Sequence, residues 1–283
     1  MKFAICNEIF QGWKLEDTFA YAAQAGYQGV ELAPFTLADS VHDLSPARRR
    51  QIREAAARAG VQIVGLHWLL VKPAGLHLTA PDAALRARTS RYFCDLVDCC
   101  ADLGGGVMII GSPQQRSVLP GVAPEQAWTW ATAALRAPVA RAEARGVTLC
   151  LEPLAPAETN FINTAAEAIR FTAQFDSPRF QIILDVKAMC AEAIPIPQLI
   201  RESWPHFAHF HANDRNLKGP GFGAVDFTPI AAALQAVGYA GWVSVEVFQF
   251  EEGPEAIATR SLDYLKGVFG EKWASAGRPV GVN

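Results

Sequence analysis

Eight short β-rich runs recur along the chain, each followed by a longer stretch with helical apolar spacing, and this alternation restricts the fold more than any other feature. The strand candidates are Phe3–Cys6, Gly29–Ala33, Gln62–His67, Val107–Gly111, Thr148–Pro153, Gln181–Val186, Phe207–Ala212 and Trp242–Phe248. Helices are expected over Leu15–Ala25, Pro46–Ala59, Ala83–Leu103, Pro124–Arg145, Thr164–Phe175, Ile196–Glu202, Pro229–Val237 and Pro254–Val268. Gly26, Gly60, Gly104, Gly146 and Gly238 each follow a helix, where a left-handed C-cap favours a residue without Cβ. Strand centres lie about 34 residues apart on average, the length of one strand–helix unit. Eight such units, with no G-x-G-x-x-G after the first strand, fit a closed (β/α)8 barrel better than an open doubly wound sheet.

At 283 residues, 51% of them hydrophobic, the chain can fill one core of that size. A single α/β domain is expected over residues 1–272, with a loose Gly-, Pro- and Arg-containing tail over 273–283. Lys and Arg number 25 against 28 Asp and Glu, so no basic field draws the protein to nucleic acid. No apolar run reaches the roughly 18–20 residues that span a bilayer, so no membrane partner is expected. The opening MKFAICNEIF does not read as a secretory signal. The six cysteines form no C-x-x-C pair and read as reduced, mostly buried side chains of a cytoplasmic protein.

Active residues of such a barrel gather where strands end at their C-terminal rim. TLCLEPL there offers Glu152, IILDVK offers Asp185, FAHFHAND offers His209, His211 and Asp214, and VSVEVF offers Glu246. One polar residue at a loop entry is ordinarily a satisfied packing feature, but here four consecutive strands each supply one. Three carboxylates inside a barrel repel unless protons or a cation compensate. Glu, Asp, His and Glu together suit one divalent ion of oxygen and imidazole preference, Mn²⁺ first, with Co²⁺, Mg²⁺ or Zn²⁺ compatible. His209 and His211 point the same way in a strand; His211, nearer the rim, is read as the ligand and His209 as an interior or supporting residue.

LEP at 151–153, LD at 184–185, HFHAND at 209–214 with PGFG at 220–223, and SVEVF at 244–248 resemble the xylose isomerase-like TIM-barrel superfamily. Within it the likeness is to sugar isomerases and epimerases of the ketose 3-epimerase (D-tagatose/D-psicose) type, and it runs through the whole chain. The resemblance implies Glu152, Asp185, His211 and Glu246 as ligands of one divalent metal, commonly Mn²⁺, with Glu152 and Glu246 doubling as an acid/base pair. It also implies that Glu158, six residues after Glu152, contacts the substrate. Two positions depart from the pattern: Ala188 and Leu217 stand where those epimerases carry a His and an Arg that hold the sugar. Lys187, Arg215 and Lys218 lie close by in sequence and read either as replacements or as solvent-facing charges.

The chemistry follows from the donor set. A cation on two neighbouring oxygens of an α-hydroxyketone stabilises the enediolate left when the α-proton departs. Carboxylates on opposite faces let one remove that proton and the other return it, inverting the carbon. A metal-dependent isomerase or epimerase of an unphosphorylated ketose or keto-sugar is therefore expected. The alternative is a lyase or dehydratase acting on a keto-inositol or 3-keto-glycoside, since an enediolate also expels a β leaving group. An apurinic endonuclease on the same barrel would need more zinc-binding histidines than this sequence offers. A non-catalytic sugar- or partner-binding barrel would leave two opposed glutamates unexplained. A homo-oligomer is compatible with the architecture, though no segment localises an interface.

Other rim residues carry weaker signals. His67, beside Trp68, is expected to bind a sugar hydroxyl. Glu31 reads either as a substrate contact or support for the ligands, or as half of an internal ion pair. Asn7 and Glu8 rank below them. Leu69–Pro81, with His77, could close as a lid, and Thr79 or Asp82 caps the next helix. Gln114 or Arg116, in GSPQQR, could approach the ligand; no Gly-rich phosphate cradle follows the last two strands. Among Phe10, Trp13, Phe161, Phe222 and Phe248, one or two are expected to wall the pocket. The glycines of 219–223 either approach a ligand or form a plain turn.

Overall fold

The structure, a computed structural model, describes residues 1–270; the expected tail over 273–283 lies outside the described residues. β1 (Lys2–Cys6), β2 (Gly29–Leu32), β3 (Gln62–Leu66), β4 (Val107–Ile110), β5 (Thr148–Leu151), β6 (Phe180–Asp185), β7 (Phe207–Ala212) and β8 (Trp242–Val245) pair in parallel in chain order. β8 also pairs with β1, with Phe3 opposite Val243, and closes the barrel. Around it run α1 (Leu15–Ala25), α2 (Pro46–Ala59), α3 (Ala83–Leu103), α4 (Pro124–Arg145), α5 (Ala165–Thr172), α6 (Val186–Met189), α7 (Ile196–Ser203), α8 (Thr228–Ala236) and α9 (Pro254–Phe269).

Helix limits follow local chemistry. Ser45 accepts from the Arg48 amide ahead of Pro46, Asp82 accepts from Ala84, and Thr164 and Glu167 form a reciprocal capping box. Asp82, not Thr79, is thus the cap of α3; the Thr79 hydroxyl donates to the Ser117 carbonyl at 2.7 Å. Gly26, Gly60, Gly104 and Gly146 end their helices in the left-handed region. The helix expected over 164–175 tightens into a 3-10 turn over Ala173–Phe175. Strands β5 and β8 stop short of Pro153 and Phe248. Pro153 has no N–H for the ladder, and Glu152 and Glu246 are the first residues beyond their strands. The short α6 has no helical periodicity to betray it; the Asp185 carboxylate caps it, accepting from the Ala188 amide at 2.8 Å.

The main core lies between strands and helices, with Phe19, Phe93, Phe171, Phe207 and Phe227 fully buried. Ile109, Cys150 and Ile183 form a separate small cluster. Each stands two residues before Gly111, Glu152 or Asp185, so it faces the same way and floors the rim site. Among the described residues no helix is long and apolar enough to cross a membrane. β3 and β4 meet at Gly65, where a Cβ would lie 1.9 Å from the Val107 carbonyl oxygen. Gly65→Ala is therefore expected to lower unfolding stability by about 1–3 kcal/mol in urea titrations. An unchanged midpoint would mean that these strands do not approach so closely.

Candidate metal centre and substrate cavity

Four neighbouring strands deliver the central cluster. Asp185 is the last residue of β6 and pairs in register with His211 of β7; His211 pairs with Ser244, two residues before Glu246. Glu152 follows β5 directly. One donor atom from each of Glu152, Asp185, His211 and Glu246 lies within 4.8 Å of the others, and all four residues are buried. Nδ1 of His211 and Oε2 of Glu246 are 3.0 Å apart without hydrogen-bond geometry, and neither has another partner. Both are buried and aimed at the middle of the cluster, which is the arrangement a cation would complete. Three carboxylate oxygens and one imidazole nitrogen fit a divalent ion of hard or borderline preference.

The supporting contacts hold these donors in place. Asp185 accepts from the Ala188 amide on Oδ1 and from Asn213 Nδ2 on Oδ2 at 2.6 Å; Asn213 in turn accepts from the Lys187 amide. Nε2 of His211 faces Glu31 at 3.2 Å, and Nε2 of His209 meets the same carboxylate at 2.8 Å. Glu31, expected among the substrate contacts, is 0% exposed and sits within β2 rather than beyond it, so both of its oxygens serve the two imidazoles. Burial disfavours its charge, yet His209 and His211 hold it well below the usual carboxylate range. Glu152 goes the other way: burial, then Glu246 and Asp185, push it up to about 8. Burial also opposes charge on Glu246, but His211 beside it lowers its pKa.

A small cavity opens above the cluster, walled by His67, Trp68, Glu152, Glu158, Lys187 and Glu246, with Phe248 at its side. Lys187 Nζ reaches Glu158 Oε1 at 2.6 Å and stands 4.0 Å from the centre of the Phe248 ring. His67 Nε2 pairs with Glu8 Oε2 at 2.6 Å. Trp68 adopts φ 52, a left-handed conformation that a bulky residue avoids unless its surroundings enforce it. Its ring meets Phe248 edge-on at 6.1 Å. Arg215 lies outside this cavity, in an adjoining hollow with Glu158, Lys187 and Leu217, and donates to the Cys190 carbonyl.

Several expectations resolve elsewhere. Lys218 pairs with Glu252 rather than entering the cavity. Arg116 is enclosed and donates to the Ile110 carbonyl at 3.1 Å. The loop 69–81 is pinned rather than free to close: Leu70 donates to Ser112 Oγ, Leu78 to the Gln115 carbonyl, and His77 to Thr89 Oγ1. Asn7 ties the first two rim loops together through Thr36 and the Ala33 amide. Asp214 accepts from Val225 and braces the following loop, and a Cβ on Gly223 would strike it. Gly219 and Gly221 pack against Ser261 and Tyr264, the plain-turn alternative. Phe161 packs on Trp128 and Phe171, and Phe222 under Arg260. Asn213 was not singled out in the sequence, although it lies between His211 and Asp214 in a motif whose neighbours were.

A profile of the xylose isomerase-like TIM barrel family matches residues 19–268. The chain belongs to that family. It is 30% identical over 266 residues to an L-ribulose 3-epimerase of Mesorhizobium japonicum, covering 92% of this chain and 83% of that one. A D-psicose 3-epimerase of Ruminiclostridium cellulolyticum is 30% identical over 176 residues, 61% of this chain and 59% of its own length. In the family fold, the crystal structure of a D-psicose 3-epimerase with D-fructose superposes with TM-score 0.83 at 22% identity, covering 95% of this chain and 100% of that one.

Because Glu152 holds a proton at neutral pH before any cation enters, binding must expel it. Calorimetry with Mn²⁺ at pH 7 is expected to show proton release and an affinity that rises with pH through neutrality. His211 must shed a proton as well as Glu152: burial opposes its charge, yet Glu246 and Glu31 hold it well above the usual imidazole range. A pH-independent affinity would take both residues out of the cation site.

Proposed function

We propose that this chain is a sugar epimerase or isomerase that shifts a proton beside the carbonyl of an unphosphorylated ketose or keto-sugar. Glu152, Asp185, His211 and Glu246 would hold one divalent cation, Mn²⁺ by preference, and Glu152 and Glu246 would move the proton. The observation that carries this reading is the convergence of those four donors, within 4.8 Å, beneath a cavity that Glu158, Lys187 and His67 also wall. The named activities of the relatives favour an epimerase over the lyase or dehydratase alternative.

The bound cation would supply Lewis-acid stabilisation of the charge that develops when the α-proton leaves. Glu152 and Glu246 enter from strands three apart around the rim, so a sugar held between them presents opposite faces. One carboxylate takes the proton from the carbon, the other returns one from the far side, and the configuration inverts. Lys187, fixed by Glu158, is the cation closest to the place where the family pattern has a histidine and this chain has Ala188. Its ammonium would donate to the substrate oxygen that the missing ring would have held, with Glu158 accepting from a hydroxyl. His67, oriented by Glu8, would meet a further hydroxyl, and Arg215 would face the outer end in place of the arginine replaced by Leu217. Six free cysteines, four of them buried, support a reducing cytoplasmic setting.

NMR in D2O with the Mn²⁺-loaded protein and L-ribulose, D-psicose or D-tagatose tests the reading on quenched, demetallated samples. Deuterium uptake at the α-carbon with an epimeric product is expected. Glu246→Gln should retain the fold and lose at least about 100-fold in turnover; undiminished turnover would remove Glu246 from the chemistry. Lys187→Met should lower kcat/KM by roughly tenfold or more, as loss of a charge-assisted hydrogen bond implies, with partial recovery in Lys187→Arg. An unchanged value would assign Lys187 to holding Glu158 alone.

A further inference from the structure

The four donors described above come from β5 to β8. A second group lies across the rim, where the barrel closes from β8 to β1. Cys6 ends β1, Glu8 stands in the 3-10 turn Asn7–Ile9 directly after it, and His67 is the first residue past β3. One donor atom from each of Cys6, Glu8, His67 and Glu246 lies within 4.8 Å of the others. Cys6 is 0% exposed, His67 1%, Glu246 4% and Glu8 8%, so all four are more than nine-tenths buried.

Hydrogen bonding does not account for these groups. Glu8 Oε2 meets His67 Nε2, but Glu8 Oε1, His67 Nδ1 and Glu246 Oε2 have no hydrogen-bond partner among the described residues. Two carboxylates are thus brought together where little water reaches, and each keeps an unmatched oxygen. The Cys6 thiol makes a 3.7 Å contact with Ser244 Oγ, a weak bond at best. Glu31 also lies beside Cys6, but its oxygens already serve His209 and His211.

A cation would match all of these groups at once. Around a tetrahedral zinc, with bonds of about 2.0–2.3 Å, ligand atoms stand roughly 3.3–3.5 Å apart, a short contraction from the spacing here. The donor set also differs in kind from the first. Three carboxylates and an imidazole suit Mn²⁺ or Mg²⁺, whereas a thiolate with an imidazole and two carboxylates suits Zn²⁺. An ion has a way in: Glu8 lines a hollow of about 720 Å³, walled by Phe10, Trp13, Trp68 and Phe248, beside the small cavity. Glu246 belongs to both donor sets, and the two oxygens of a carboxylate can bridge ions about 3.5–4 Å apart.

We propose that Cys6, Glu8, His67 and Glu246 form a second cation site that takes Zn²⁺ beside the first ion. On binding, the Cys6 thiol gives its proton to solvent and the sulfur bonds the zinc. Glu246, held by two cations, is then no longer free to carry a proton, so Zn²⁺ stops the reaction while the first ion stays in place. The loss of turnover rests on the epimerase reading; the binding does not.

Co²⁺ is the probe, since a cobalt–thiolate bond gives a charge-transfer band in the near ultraviolet that oxygen and imidazole ligands do not. Co²⁺ added to the Mn²⁺-loaded protein is expected to raise that band with one ion per chain, and Zn²⁺ to abolish it. Cobalt that merely displaces Mn²⁺ from Glu152, Asp185, His211 and Glu246 meets no sulfur and stays silent. Cys6→Ser should remove the band, and Glu8→Gln should weaken Co²⁺ binding by about tenfold or more, the loss that even supporting residues of a metal site cause. Cys94→Ser and Cys190→Ser, at the two half-buried thiols, should leave it unchanged. Zn²⁺ should lower turnover of L-ribulose by the Mn²⁺-loaded protein about 100-fold, as loss of an acid/base group implies, and Cys6→Ser should escape that loss. No band, a band that survives Cys6→Ser, or equal zinc inhibition in Cys6→Ser overturns the proposal. If no sugar is turned over, the epimerase reading falls, while the cobalt band still decides the site.

Discussion

Three carboxylates share one buried pocket at the rim, and the rest of the site answers that repulsion. Inside a barrel the water that would screen Glu152, Asp185 and Glu246 from one another is largely excluded, so each charge needs a partner. His211 faces Glu246, Lys187 approaches from the side, and Asp185 is saturated by Asn213 and the Ala188 amide. Glu31 is the least visible part of this balance. Its ionised carboxylate beneath the site holds His209 and His211 on their Nε2 atoms, which leaves Nδ1 of His211 turned towards the cluster. A neutral side chain at that depth would leave both rings without their common anchor.

Depth along the strand explains which residues sequence reasoning placed well. Glu152, His67 and Glu246 are each the first residue past a ladder and wall the cavity, and Asp185, the last within one, reaches the cluster beneath it. Glu31 stands before the end of β2, beside a register shift between Val30 and Leu32, and falls below the rim. A period-two pattern says which face a side chain takes but not how high it sits, and one residue of height separates a substrate contact from an internal ion pair. Helix limits were readable because they depend on neighbours a few residues away: Ser45 with Arg48, Thr164 with Glu167. The pairs Glu31–His209 and Glu8–His67 were not, because closure of the barrel brings together residues distant in sequence.

The rim is also asymmetric in a way that composition conceals. The four convergent donors come from β5 to β8, whereas the loops after β1, β2 and β3 contribute Phe10, Trp13, Phe35 and Trp68, joined by Phe248 after β8. Trp68 holds a strained backbone conformation at the boundary, and Phe248 is fixed between it and Lys187. Both rings line the small cavity over the carboxylates and the larger aromatic hollow beside it, and so form the wall between the two.

That division bears on how a family shared with sugar 3-epimerases can vary its substrates. The donors that converge beneath the cavity belong to strand ends, where the barrel's register fixes them. Position 188 belongs to the short α6, and position 217 and the aromatic lining to the segments that follow the strands, where replacement leaves that register untouched. In this chain Lys187 supplies positive charge one residue before an alanine, and Leu217 occupies a left-handed, partly exposed position at the outer hollow. Lys187 places its charge beside Asp185 and Glu158, and Arg215 shares the outer hollow with Leu217. A proton-transfer centre of constant geometry can then serve ligands whose remote parts are recognised by different surfaces, and the chemistry of those surfaces, not of the carboxylates, selects the molecule that reaches them.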